Sequence, residues 1–321
     1  MILVWGVPLD PPVSAVLDAL ERFGSEVFFF DQHESPNTEL HLRSERTLGG
    51  VLQSPCWRVD LSKITAAFVR PYDSRRLFDR LDRSSTELNR IAELDNALFC
   101  WAEMTAARVV NRPSAMASNL SKPYQAEIIR AHGFHVPETL ITTDPVKAEE
   151  FWRRYGDIVY KSISGVRSVV ARVTPEHRER FKDLPHCPTQ FQRWIRGTDY
   201  RVHVCGDDIF PCEVSSPAVD YRYPLSAEEH PTIRPCRLPA GVAEKCRILA
   251  RSLALDVAGI DLRLTPSGSW YCFEVNASPG FTVFEESNGP LISDSIARLL
   301  MCEDVGSSAT FFRSNFSSTP I

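Results

Sequence analysis

Apolar and polar residues alternate most regularly between Gly259 and Gly280, in the stretch GIDLRLTPSGSWYCFEVNASPG. Two period-two runs flank Ser267-Gly268, a composition that predicts a hairpin turn. With that pair as a two-residue loop, Pro266 faces Ser269, Leu264 faces Tyr271, Leu262 faces Phe273 and Ile260 faces Val275, forming one apolar face. The other face then carries Arg263 against Cys272, Asp261 against Glu274 and Gly259 against Asn276. Carboxylates directly across an antiparallel pair repel each other. A divalent cation reverses that sign, and Asp, Glu and Asn are hard oxygen ligands of the kind that hold Mg²⁺ beside phosphates. The bland alternative is a solvated hairpin with an acidic outer face.

Elsewhere the pattern predicts three α/β units and a tail. Residues 1–112 begin with a strand at Ile2–Trp5, a helix at Pro11–Phe23 with Val13, Val16, Leu17 and Leu20 on one side, and a strand at Val27–Phe30. That order suggests parallel pairing. Ala66–Val69 is a further strand, followed by a polar connection. Ser84, with Glu87 three residues on, reads as a capping box opening a long helix whose stripe of Leu88, Ile91, Leu94, Leu98, Trp101 and Met104 is core.

Residues 113–189 form the second unit. Ser121 caps a helix that Gly133 stops; then come a strand at Val136–Thr142, a helix at Pro145–Arg154, and strands at Ile158–Ser162 and Val169–Val173. Residues 190–303 hold strands at Gln190–Ile195, Thr198–Val204 and Ile209–Val214, a helix at Gly241–Leu255, the acidic hairpin and a closing helix at Leu291–Met301. Residues 304–321 are Ser-rich and aperiodic, read as flexible or loosely docked.

Composition removes several function classes. A chain of 321 residues that is 43% hydrophobic fills more than one core. A net charge of -5, with 36 dispersed basic residues, gives no footprint for nucleic acid. The start is too short for a signal segment, and no run reaches a membrane span. The 9 cysteines lack C-x-x-C spacing and read as reduced thiols of a cytoplasmic protein. Gly6 stands alone without G-x-G-x-x-G, so a dinucleotide site has little support.

Two lysines carry open readings. Lys122, in the first turn of its helix, either snorkels at the surface or answers an anionic ligand, since a cation there opposes the macrodipole. Lys161 ends an apolar strand, either as an edge-strand solubility device or as a charge aimed at a ligand. The loop after it, containing Ser164 and Gly165, is small enough to point backbone N–H groups at phosphates, although it lacks the GK[ST] ending of a P-loop.

Over about residues 110–302 these pieces resemble the ATP-grasp superfamily, specifically its RimK-like carboxylate–amine ligases. GIDL…FEVNASPG is similar to the family's metal hairpin and N-A-S-P-G turn. The resemblance implies an α/β (α+β) ATP-grasp fold: two α+β subdomains, 113–189 and 190–303, gripping ATP behind a small α/β domain at 1–112. It implies that Asp261, Glu274 and Asn276 hold Mg²⁺, two ions or Mn²⁺ in their place, at the ATP phosphates, and that Lys122, Lys161, Ser164 and Gly165 bind nucleotide. Gln192-Arg193-Trp194-Ile195 resembles the hinge whose backbone reads adenine, with Arg193 where the family often has Glu. Gly197-Thr198-Asp199-Tyr200-Arg201 resembles a G-x-D-x-R run, placing Asp199 near the ribose and Arg201 near the transferring phosphate. Arg222 and Ser278 are the substrate candidates; a structural pair of Arg222 with Asp220 is the alternative.

A finer likeness runs through Asn111-Arg112-Pro113, Lys122-Pro123, Val136-Pro137-Glu138-Thr139, Val219-Asp220-Tyr221-Arg222 and Asn288-Gly289-Pro290-Leu291-Ile292, which resemble the graspetide-synthetase branch. Those enzymes join acidic side chains of a precursor peptide to hydroxyls or amines. The Ala277-Ser278-Pro279-Gly280 turn instead resembles the amino-acid-adding ligases. The expected function is therefore an ADP-forming ligase that activates a carboxylate as an acyl phosphate. Its partners are ATP and a small-molecule, amino-acid or peptide substrate, without nucleic acid or membrane, and family analogy favours a homodimer or homotetramer. The rivals are a peptide macrocyclase, a non-catalytic nucleotide-binding descendant, and a metal site without ATP.

Overall fold

The computed structural model describes residues 1–44, 48–79, 85–117, 121–162, 170–217, 230–286 and 289–302. The phosphate-loop candidates Ser164 and Gly165, together with Asp220, Arg222 and the tail, lie outside the described residues.

The chain opens as its pattern predicts, with β1 (Ile2–Gly6), α1 (Pro11–Arg22) and β2 (Val27–Asp31). A hairpin sheet follows, β3 (Glu39–Ser44), β4 (Leu48–Gln53) and β5 (Arg58–Asp60), which the apolar pattern had not disclosed. Gly50 explains its closeness: a Cβ there would stand 2.4 Å from the His41 carbonyl oxygen. Next come β6 (Ala66–Arg70), α2 (Ser74–Leu77), α3 (Thr86–Met104) and β7 (Arg108–Val110). Strands β2-β1-β6-β7 form a parallel four-stranded sheet. The cap of α3 is Ser85, whose hydroxyl accepts from the Leu88 N–H at 3.1 Å, one residue later than the capping-box reading from Ser84.

The second sheet has order β10-β9-β11-β8. After α4 (Pro113–Met116) and α5 (Lys122–Ala131), it comprises β8 (Thr139–Thr142), α6 (Pro145–Tyr155), β9 (Ile158–Ser162), β10 (Ala171–Arg172), a 3-10 stretch at Pro175–His186 and β11 (Thr189–Arg193). Strand β11, read from sequence as the head of the third unit, pairs with β8 and β9, so the chain leaves this sheet after Arg193.

The third sheet, order β14-β13-β12-β15-β16, holds β12 (Thr198–Cys205), β13 (Asp208–Ser215), β14 (Thr232–Pro235), then after α7 (Ala240–Ser252) β15 (Val257–Leu264) and β16 (Trp270–Asn276). Helices α8 (Thr282–Glu285) and α9 (Leu291–Met301) close the chain.

Core composition shows how the layers join. Val202, Val204, Ile260, Leu262, Cys272 and Val275 pack under Cys246, Leu249 and Ala250 of α7. One apolar cluster merges β1, β6 and α1 with Cys205, Val214, Phe284 and α9, so the first and third sheets share a core. The cluster of the second sheet (Ala148, Ile158, Phe181, Leu184, Phe191) draws only on its own segment.

Candidate functional site

The hairpin places its acidic face as expected, by a route the sequence did not show. Gly259 pairs with Asn276, Ile260 with Val275 and Asp261 with Glu274. Beyond Asp261 the register shifts, so Leu262 pairs with Cys272, Arg263 with Tyr271 and Leu264 with Trp270, not with Phe273, Cys272 and Tyr271. The turn is one residue longer than predicted: the Thr265 N–H donates to the Ser269 carbonyl at 3.0 Å, and Gly268 takes φ +86. A bulge then restores the register at Glu274. Loop and bulge cancel, which is why the inner three pairs are those that simple alternation gives.

On this face β12 contributes its own row. Arg201 pairs with Asp261 in the ladder, and its Nη1 donates to Asp261 Oδ1 at 2.6 Å, with Arg201 6% exposed. Asn276 Nδ2 donates to Asp261 Oδ2 at 3.1 Å and to the Gly259 carbonyl at 3.3 Å. The amide oxygen of Asn276 is thereby left as its ligating atom. Cys272 Sγ donates to the Glu274 backbone carbonyl, while no hydrogen bond or ion pair to the Glu274 carboxylate is seen among the described residues. Gly259 makes room for Arg201: a Cβ there would lie 2.4 Å from Arg201 Nη2.

Behind Arg201 lies His203, fully buried, stacked edge-on against Phe284 at 4.9 Å, with Nε2 3.2 Å from the Gly280 carbonyl. Burial, reinforced by the Arg201 charge, holds its pKa well below the usual value. The ring is therefore neutral at pH 7, and the positive charge beside Asp261 belongs to Arg201.

Among the described residues no three His, Cys, Asp or Glu side chains cluster as a closed metal cage. Two carboxylates and an amide form an incomplete oxygen set of the sort Mg²⁺ accepts when phosphates and water supply the rest. The residues fit the ion.

Lys122 stands at the start of α5, three residues before Gln125, which is buried. Gln125 Nε2 donates to the Val275 carbonyl at 2.8 Å and its Oε1 accepts from the Val275 N–H at 2.9 Å. Its amide thus pairs with β16 between Glu274 and Asn276 and fixes the helix that carries Lys122 beside the acidic strand.

The second sheet presents a polar face. Lys161 is 8% exposed and pairs with Gln190; Gln192, also buried, donates from Nε2 to Thr139 Oγ1 at 3.0 Å. Tyr160 and Phe191 lie on the opposite face, against the 3-10 stretch. Strand β11 then runs into the hinge. The N–H groups of Arg193 and Trp194 donate to the Glu138 and Asp157 carbonyls, each at 2.9 Å. The Arg193 side chain pairs with Glu138 at 3.2 Å, near the surface.

Arg263 is the residue that sequence reading missed most. Expected on an outer face opposite Cys272, it is 8% exposed and holds Asp199 in a fork, Nε to Oδ1 at 2.6 Å and Nη2 to Oδ2 at 2.7 Å. Its Nη1 donates to the Ile195 carbonyl at 2.7 Å, and its guanidinium lies 4.6 Å from the Trp194 ring centroid and 5.1 Å from that of Phe273. Asp199, the ribose candidate, is thus oriented by Arg263. Ser278 accepts from Arg70 Nη1 at 2.6 Å; Arg70 also pairs with Asp10. Together they line a cavity of about 420 Å³ with Leu9, Tyr72 and Leu77 at the ends of β1 and β6.

No protein-family model matches the chain. It is similar to solved peptide-modifying ligases along nearly its whole length. One is a Chryseobacterium gregarium RiPP-associated ATP-grasp ligase in complex with ADP and a leader and core peptide, 25% identical with a TM-score of 0.79, covering 94% of this chain and 96% of that one. The fold is ATP-grasp. Macrocyclase MdnC of Microcystis aeruginosa, bound with precursor peptide MdnA, shares that fold at a TM-score of 0.80 and 22% identity, covering 94% of this chain and 99% of that one. In sequence the chain is 24% identical over 247 residues to human N-acetylaspartylglutamate synthase A, spanning 68% of this chain and 59% of that protein. The chain therefore matches only about three fifths of this curated relative's length. The second sheet, with its polar face, and the third, with its acidic face, are joined by residues 194–197 between β11 and β12.

Proposed function

We propose that the chain is an ATP- and Mg²⁺-dependent ligase that activates a carboxylate as an acyl phosphate and joins it to an amine, or to a hydroxyl, of an amino-acid or peptide substrate. The observation that carries this reading is Asp261 facing Glu274 across β15 and β16, with Asn276 on the same face and Arg201 bonded to Asp261. Two opposed carboxylates beside a buried guanidinium suit cations and phosphate oxygens.

In this reading Asp261, Glu274 and Asn276 would hold Mg²⁺, or Mn²⁺, which when bound would supply positive charge against the terminal phosphates. Arg201, Lys122 and Lys161 supply fixed positive charge, and phosphoryl transfer depends mostly on such positioning and neutralisation. Ser164 and Gly165 belong to the phosphate loop. Gln192 to Ile195 form the hinge at the base; since two hinge N–H groups and the Ile195 carbonyl are already engaged, recognition there falls to the remaining groups. Asp199, held by Arg263, faces the ribose. The substrate carboxylate takes the phosphoryl group, the nucleophile displaces phosphate, and ADP and phosphate leave. Ser278 and Arg70 border the substrate side, with Arg222 as a further carboxylate contact.

For the substrate, a peptide is favoured over a free amino acid. Over 94% of its length the chain superposes on the two peptide-bound ligases at TM-scores of 0.79 and 0.80, against 0.58 for a D-alanyl-alanine synthetase covered to the same extent. The test is to incubate the purified chain with Mg²⁺-ATP and acidic peptides rich in Ser, Thr and Lys. The expected result is release of ADP and phosphate, with the peptide losing one water per link. Release of AMP, or unchanged nucleotide affinity in Glu274→Ala, would overturn the reading.

A further inference from the structure

Gln190 sits on β11 two residues before the hinge begins, and only 3% of it is exposed. It pairs with Lys161 on one side and with Ile141 on the other, so it shares the polar face of the second sheet. Its side-chain oxygen Oε1 is buried and has no hydrogen-bond partner among the described residues. Gln192, the next residue on that face, donates to Thr139 instead. An unpaired buried acceptor is costly, about 1–3 kcal/mol when nothing repays it. A leucine of similar volume would avoid that cost at this position.

What could donate to Oε1 is a short list if ATP lies against this face, the reading on which this inference rests. Triphosphate oxygens are acceptors throughout, and so are the ring nitrogens of adenine. The nucleotide's strong donors are the ribose hydroxyls and the exocyclic amine of the base. The ribose is assigned to Asp199 on the third sheet, and water on the metal belongs with Asp261 and Glu274 there. The amine remains. We infer that Gln190 reads the base: its side-chain carbonyl accepts a hydrogen bond from the exocyclic amine of adenine and rejects bases that present a carbonyl at that position.

In guanine an acceptor replaces the amine, so two oxygens would face each other in a buried place. A site built to pair a donor discriminates strongly against analogues that lack it. Gln190 is then a specificity-determining residue bought at some cost to the nucleotide-free fold.

The experiment titrates the purified full chain, in Mg²⁺, with ATP, GTP and the triphosphate of purine riboside, which lacks the amine. Wild type is expected to bind ATP about tenfold or more tighter than either analogue, as loss of one buried hydrogen bond implies. Gln190→Leu should bind ATP and the purine riboside triphosphate alike, while melting at an equal or higher temperature without nucleotide. A purely structural glutamine gives the opposite: lower melting and retained preference. Gln190→Met serves the same comparison should the leucine variant not fold. Equal binding of ATP and the analogues by wild type, or a preference that survives both substitutions, overturns the inference and leaves the nucleotide site standing. No binding of Mg²⁺-ATP by wild type removes both.

Discussion

The carboxyl of Asp95 lies in a buried knot with Gln32 and Ser74: Ser74 donates to its Oδ2, Gln32 anchors Tyr72, and Oδ1 has no partner among the described residues. Burial pushes its pKa from 3.8 up to about 6, against the opposing hydrogen bonds of Ser74 and Gln32. Because the folded value is the higher one, the folded chain binds the proton more tightly. The resulting stabilisation is full below the unfolded value and lost as pH rises through about 6. At neutral pH the ionised group therefore costs up to about 3 kcal/mol, at about 1.4 kcal/mol per unit. Asp95→Asn keeps an acceptor for Ser74 and removes the charge. Its urea midpoint should rise at pH 7.5 and lose the wild-type drift between pH 5 and 7. Gly259 makes a second residue-scale prediction. A methyl group there meets Arg201 Nη2 at 2.4 Å and the Pro279 ring at 2.7 Å, so Gly259→Ala displaces the guanidinium from Asp261. Affinity for Mg²⁺-ATP, read by titration calorimetry, should fall about tenfold or more, the equivalent of about 1.4 kcal/mol of lost ion pairing, with the fold retained.

At the level of elements, the outer edge of β16 is covered by two unlike devices. His135 adds a short parallel bridge, donating to the Trp270 carbonyl at 3.1 Å and accepting from the Cys272 N–H at 2.9 Å. Gln125 completes the edge at Val275 with its amide. Gln125→Met would remove both hydrogen bonds that the Gln125 amide makes to the Val275 backbone. A loss of about 1–3 kcal/mol in urea unfolding is expected, at about 0.5–1.5 kcal/mol net for each of the two bonds, and the Val275 amide should exchange faster with solvent. Much of this level was legible in sequence: a continuous apolar run gave β1, strands were read at β12 and β13, period-two runs gave β15 and β16, and α9 was read to the residue. The acidic trio was legible because its pairs sit where turn and bulge offset each other. What stayed hidden was set by partners distant in sequence. Arg263 reads as one more polar position on a strand; only folding brings Asp199, Trp194 and Ile195 around it. The hairpin at 39–60 alternates well enough, but Gly49-Gly50 reads as a breaker until the approach of His41 shows why glycine is needed.

Across the whole molecule the three larger sheets are unequally joined. The first and third share an apolar core, and Arg22 of α1 pairs with Asp294 of α9 at 2.6 Å. The second sheet has a core of its own, drawn from residues between Leu140 and Phe191. Arg263 is a polar fastener between the second and third layers, because one guanidinium binds Asp199 of β12, the hinge carbonyl of Ile195 and the hinge ring of Trp194. The fork needs a planar group, so lysine cannot replace it. Arg263→Ala removes the fork on Asp199 and the bond to the Ile195 carbonyl together and should cost about 3 kcal/mol. The location of that loss is the sharper test. In wild type, Mg²⁺-ATP should stabilise the whole chain by about 2.7 kcal/mol at a hundredfold excess over Kd, raising its melting temperature, and should slow proteolysis between Trp194 and Gly197. In Arg263→Ala the second sheet should melt ahead of the rest, and the hinge should stay open to protease even when nucleotide is present. A single melting transition in that variant, with the hinge still protected, would mean that the apolar contacts alone hold the layers together.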